Sequence, residues 1–165
     1  MTMTQEQANQ IAQYLLADYE RELATTRRVI AAMPEGQPEY APSPKCMAAL
    51  KLAFHLPSAD AMFLEGIVEG ALSYDPKEEE KIQSVAGVLA WFDARLPAAV
   101  ERAKTAPPGV WTREIDFFGQ MRITGLDLLA LMIKHSIHHR GQLSAYLRPM
   151  GGMVPSIYGP SADEK

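Results

Sequence analysis

The chain has 165 residues, with 16 Lys and Arg against 20 Asp and Glu, a net charge of −4, four histidines and one cysteine. A lone cysteine excludes internal disulfides and any four-cysteine zinc ribbon. An acidic balance without a Lys/Arg cluster speaks against nucleic acid as a partner. With 47% apolar and 22% charged residues, the length fits a single domain, residues 1–165, with a real core. The polar start, Met1 to Gln7, lacks the apolar run of a signal peptide. The longest apolar stretch, Leu128 to Ile133, stops at Lys134, far short of a membrane span. The expected location is the cytoplasm.

Four helices are predicted in chain order. Thr4 and Gln7 have capping-box spacing, which starts a first helix near Gln5. Ile11, Leu15, Tyr19, Leu23, Thr26, Ile30 and Met33 follow at helical spacing as its apolar stripe. Pro34, Gly36 and Pro38 end it, and the prolines through Pro44 keep residues 34–44 extended. Ser43-Pro44 reads as the start of the second helix, with Cys46 in its first turn. That helix carries Met47, Leu50, Phe54, Met62, Leu64 and Val68 and ends near Ala71, with a kink expected at Pro57. Residues 73–81 read as a solvated charged connector. The third helix holds Ile82, Val85, Leu89, Phe92, Leu96, Val100 and Ala103. Its start is open between the caps Asp75-Pro76 and Ser84, and Pro97 marks a kink or break. Residues 110–123 read as two short strands or an extended connection. Thr124, with Asp127 three residues on, caps a fourth helix that runs to about Arg148, where Pro149, Gly151 and Gly152 stop it. Four amphipathic helices make an all-α four-helix bundle, and the long connection before the last helix points to a crossover.

Three of the four histidines fall within the fourth helix as His135, His138 and His139. Residues four apart lie about 40° apart around a helix, so His135 and His139 can present two imidazoles to one ion. Steps of four and seven from His139 reach Met132, Leu143 and Tyr146, an inward face. The same steps from His138 reach Leu131, Lys134, Gln142 and Ala145, a polar one. His135 and His139 are therefore expected inside and His138 at the edge. Such a pair can also be a hydrogen-bonded pair without metal. His55, between Phe54 and Leu56, can be a structural core histidine. Taken with the pair, it completes three imidazoles from two facing helices, which leave the full charge on a bound divalent ion and positions free for a ligand. No carboxylate base is evident on the ligand face; Asp60 and Glu65 read as solvent-facing. Cys46 reads as structural, since no base accompanies it. Trp91 and Trp111 read as packing residues. Arg140 and Arg148 read as residues that cover apolar surface, bind an acidic substrate or hold the tail.

The run His135-Ser136-Ile137-His138-His139-Arg140-Gly141-Gln142-Leu143, followed by Leu147 to Gly152 and Val154 to Gly159, resembles the DinB (DinB/YfiT-like) family. Tyr40 to Lys45 and Leu52-Ala53-Phe54-His55-Leu56 resemble that family's second helix. The resemblance spans nearly the whole chain and is strongest from residue 126 onward. It implies a bundle of up-down-down-up topology and a three-histidine metal site, here His55, His135 and His139. It also implies a divalent metal, zinc or nickel, and homodimers. Relatives include transferases and isomerases that use low-molecular-weight thiols such as bacillithiol, mycothiol or glutathione. The expected function is thus a metal-dependent transferase acting on a small-molecule thiol. A hydrolase and a non-catalytic metal-binding stress-response protein are the alternatives. Gln142, Tyr146 and Tyr158 are the candidates for orienting substrate.

Overall fold

The computed structural model describes residues 3–164. The first helix, α1 (Gln5–Ala31), opens on the expected capping box: the Thr4 hydroxyl accepts from the Gln7 amide and the Gln7 side chain accepts from the Thr4 amide. Its buried face is rotated from the expected stripe. Ala8, Ala12 and Leu16 are buried with Tyr19, Thr26, Val29 and Ile30, while Ile11 is 42% exposed and Leu15 and Leu23 are half-buried. Small alanines let the neighbouring helices approach closely on a side that the larger residues do not mark.

The second helix, α2 (Ala49–Glu69), starts later than Ser43-Pro44. The Ser43 carbonyl accepts from the Cys46 amide at 2.9 Å, closing a separate turn. The first free amides of α2 are then met by the extended loop: Ala49 donates to the Tyr40 carbonyl at 2.8 Å and Leu50 to that of Pro38 at 3.0 Å. Loop carbonyls thus take the place of a side-chain cap. Cys46 lies outside the helix and is exposed. Pro57 sits inside α2, and the helix continues through it to Glu69.

Residues 73–81 are not merely a solvated connector. They contain a short helix, α3 (Pro76–Glu80), capped by the Asp75 carboxylate, while Ser84 caps α4 (Val85–Lys104). Both candidate caps are thus used, one per helix. Pro97 lies within α4 without ending it. A 3-10 turn, Pro108–Trp111, then leads to an antiparallel hairpin, β1 (Glu114–Phe117) and β2 (Met121–Thr124). Thr124 caps α5 (Gly125–Leu147) with Asp127, as expected. Gly125 is required there, because a Cβ would clash with the Val110 carbonyl oxygen.

The long helices form an up-down-down-up bundle. α1 and α5 run the same way, since Trp111 before α5 reaches Asn9 near the start of α1, and Gly152 after α5 packs on Ala32 after α1. α2 opposes α5: Tyr146 meets Met47, and His135 meets His55. α4 follows α2, as Phe54 meets Trp91, Glu65 meets Arg95 and Glu69 meets Arg102. α1 and α2 each pack on both α4 and α5, so they occupy opposite corners. Three long connections result, the first being the proline-rich residues 32–48, which join α1 and α2 at opposite corners. Residues 105–124 join opposite corners across one end of the bundle. Residues 70–84 return along its length, because α2 and α4 run in parallel. The buried apolar residues of all four form one cluster.

Candidate metal centre

Leu52, Leu56 and Phe63 hold one side of α2 in the core, as Met132, Leu143 and Tyr146 hold α5. His55 is carried on the first of these helices, and His135 and His139 on the second. The expected face assignment holds: His135 and His139 are half-buried and His138 is exposed. One ring nitrogen from each of His55, His135 and His139 lies within 4.8 Å of the other two. The Nε2 atoms of His55 and His135 face each other at 3.2 Å. The ring centroids are 5.0 Å (His55–His135), 4.7 Å (His55–His139) and 4.3 Å (His135–His139) apart.

The chemistry of this set fits a divalent ion. Metal–imidazole bonds of roughly 2.0–2.1 Å keep two ligand nitrogens within about 4.2 Å of each other, so small side-chain adjustments suffice. Burial, with His139 alongside, pushes the His55 ring down to about 4. Burial with His139 and His55 alongside does the same to His135, also to about 4. Burial lowers His139 as well, partly offset by its bond to Gln142. All three are therefore neutral near pH 7, the form that binds metal. His135 Nδ1, the nitrogen across the ring from the one that faces His55, is buried without a protein partner among the described residues.

Gln142 bridges the two α5 histidines nearest it. Its Oε1 lies 2.8 Å from His139 Nδ1 and its Nε2 lies 3.0 Å from His138 Nε2. An amide oxygen only accepts, so His139 Nδ1 carries the proton and its Nε2 lone pair is left free to bind. Tyr146 is buried, donates to the Met47 carbonyl at 3.3 Å and packs edge-on against Tyr40. Tyr158 is placed elsewhere. It accepts from Arg140 at 2.5 Å and donates to Glu22 at 2.9 Å, tying the tail to α1 and α5. Arg140, 2% exposed, also pairs with Glu22 at 2.6 Å, and Arg148 pairs with Asp163. The two arginines hold the tail.

Other residues of the site are not evident from sequence. Asp60 is 1% exposed rather than solvent-facing. Its Oδ2 accepts from the Tyr19 and Ser136 hydroxyls, both at 2.7 Å, which links α1, α2 and α5 directly behind the histidines. Glu65 is half-buried and paired with Arg95 at 2.8 Å. A cavity of about 420 Å³ opens beside His55 and His135, walled by Ala59, Met62, Phe63, Phe117 and Phe118 and edged by Lys51, Tyr74 and Glu79. Glu79 comes from the returning segment and accepts from Lys51 at 2.8 Å and from Tyr74 at 3.0 Å. The Lys51 ammonium holds the Glu79 carboxyl below its ordinary range.

The model of the DinB family matches residues 3–165. The chain belongs to the DinB family. It is 30% identical over 148 residues to the uncharacterized protein YjoA of Bacillus subtilis, covering 88% of this chain and 92% of that one. A shorter stretch of 50 residues is 46% identical to YrdA of the same organism, 30% of this chain and 29% of that protein. The crystal structure of the DinB-like YjoA superposes with a TM-score of 0.70 at 24% identity, over 92% of this chain and 99% of that one. A DinB-like protein from Bacillus cereus superposes with a TM-score of 0.74 at 22% identity, over 87% and 95% of the two chains. These likenesses bear on the fold. Among the described residues no helix is long and apolar enough to cross a membrane.

Proposed function

We propose that this DinB-family protein is a metal-dependent enzyme, with His55, His135 and His139 holding a divalent ion, zinc or nickel, and a low-molecular-weight thiol as the group transferred to an electrophile. The observation that carries the reading is the half-buried cluster of three neutral imidazoles opening onto a cavity of about 420 Å³. Three protein ligands beside an open cavity is the pattern of a catalytic rather than a closed structural site. A divalent ion held there supplies the positive charge that favours the thiolate form of a thiol and keeps it in place for attack.

The protein's own groups have separable tasks. His55 and His135 offer neutral ring nitrogens from facing helices. Gln142 fixes the tautomer of His139. Asp60 pins Ser136, and with it the turn of α5 between the two ligands. Among the described residues Glu79 is the one carboxylate edging the cavity, but its bond to Lys51 holds it below the ordinary range and makes it a poor base. That favours thiol transfer over hydrolysis by a base-activated water.

The test starts with the metal content of the purified protein and cobalt(II) uptake by the chelator-stripped form. Thiols such as bacillithiol or glutathione should then shift the cobalt absorption spectrum. Absence of divalent metal together with no uptake overturns the metal reading. Uptake with a spectrum that no thiol perturbs overturns the thiol reading.

A further inference from the structure

The cavity has a built shape of its own. Aromatic rings run from the metal centre to the surface in one series. Phe63 sits edge-on to His135 with centroids 5.6 Å apart, Phe117 stacks on Phe63 at 6.2 Å with planes 15° apart, and Phe118 sits edge-on to Phe117 at 5.2 Å. The last ring is 52% exposed and forms the outer end of the series at the cavity mouth.

Its backbone makes the placement more telling. The Gln120 amide donates to the Phe117 carbonyl at 3.0 Å, with φ of 55° at Phe118 and 71° at Gly119. Positive φ at both central residues makes this a type I′ hairpin turn, where Asn, Asp or Gly normally stands first. A bulky residue there is strained, and such strain clusters at ligand clamps. The Asp116 carboxylate braces the turn by accepting from the Gly119 amide at 2.9 Å.

The opposite edge is polar but self-neutralised, since Lys51 and Tyr74 both bind Glu79. It therefore offers no net charge to a ligand. We infer that the cavity receives a neutral aromatic group of the substrate, held against Phe117 and Met62 with the Phe118 ring closing over it. Phe118 is a specificity-determining residue in this assignment. The inference rests on the metal reading for the chemistry at the substrate's other end; the fit of the aromatic group rests on the cavity alone.

The test uses prodan, a neutral naphthalene dye whose emission rises in apolar surroundings, titrated into the metal-stripped protein and into the protein loaded with zinc. Saturable binding of one dye is expected in both forms, displaced by naphthylmethanol but not by hexanol at equal concentration. Phe118→Asn should weaken the dye roughly tenfold, the loss of one aromatic contact and its burial. It should leave thermal stability unchanged or raised, because Asn accepts the left-handed conformation. Met62→Gln, on α2 and away from the turn, should also weaken the dye. Tyr14→Ser, removing an aromatic ring on α1 that is 70% exposed, should change nothing. No saturable binding, equal displacement by hexanol, or affinity that responds to Tyr14→Ser but not to Phe118→Asn and Met62→Gln overturns the proposal. Metal uptake is measured on the same samples, so a failed metal centre and a failed cavity give different results.

Discussion

Asp60→Asn tests the scaffold behind the histidines. Burial pushes the Asp60 carboxyl up from 3.8 to about 7, against the opposing pull of its bonds to Tyr19 and Ser136 and of the Arg140 charge. In the unfolded chain it ionises near its ordinary value. Between the two values the unfolded state therefore binds fewer protons than the folded state, and stability falls as pH rises. The interval from 3.8 to about 7, at ~1.4 kcal/mol per pH unit, makes the loss ~4 kcal/mol. Asparagine keeps an oxygen to accept from Tyr19 and Ser136 and cannot ionise. It leaves its amide donor buried where Oδ1 already lacks a partner, at a pH-independent cost of ~1–3 kcal/mol. The variant should thus be less stable than the parent near pH 4 and equal or more stable above pH 7. The buried neutral histidines act in the opposite direction. Their lowered values stabilise the fold above their ordinary range, and this is lost as pH falls toward 4. That contribution is common to both proteins and cancels in the difference. Urea denaturation of the chelator-treated pair from pH 4.5 to 8.5 reads the difference directly. Parallel stability curves would refute the reasoning, because they would mean that Asp60 ionises in the fold as readily as in the open chain.

Three further outcomes concern the metal centre. Replacing His55 or His139 with Ala should abolish divalent-metal uptake measured by calorimetry, whereas His138→Ala should spare it; equal loss from both α5 variants contradicts the inward and outward faces assigned to them. Gln142→Ala frees the His139 tautomer and should weaken metal affinity by roughly 10–100-fold, read by chelator competition, with the folded state intact by circular dichroism. Because His55 and His135 are held at about 4, protons compete with metal only well below the ordinary histidine range, so uptake should survive at pH 5.5 and fail near 4; loss already at pH 6.5 would show that the rings titrate as if exposed.

The histidine cluster was legible in the sequence because helical spacing alone fixes which residues of one helix share a face. Met132, Leu143 and Tyr146 assign His135 and His139 inward, and they leave His138 with Lys134 and Gln142. Asp60 offered a comparable signal: it stands four residues from both Leu56 and Leu64, a lone carboxylate on an apolar stripe. Such an interruption is better read as a buried, hydrogen-bonded group than as a solvent-facing one. The start of α2 was hidden for a different reason. Its amides are met by carbonyls of Pro38 and Tyr40, and backbone carbonyls have no residue type to betray them. The wall and rim of the cavity depend on topology. α2 and α4 are parallel, so residues 70–84 must retrace the bundle, and that return carries Tyr74 and Glu79 past His55 to reach Lys51. A run of three glutamates looks solvated until the direction of the next helix is known. The hairpin behaves likewise. Phe117 and Phe118 read as strand residues, but they become part of the site only because the connection across the end of the bundle bends them over α2. What periodicity supplies is the three histidines; the wall and rim of the cavity beside them come largely from two connections, whose course is set by the order and direction of the helices.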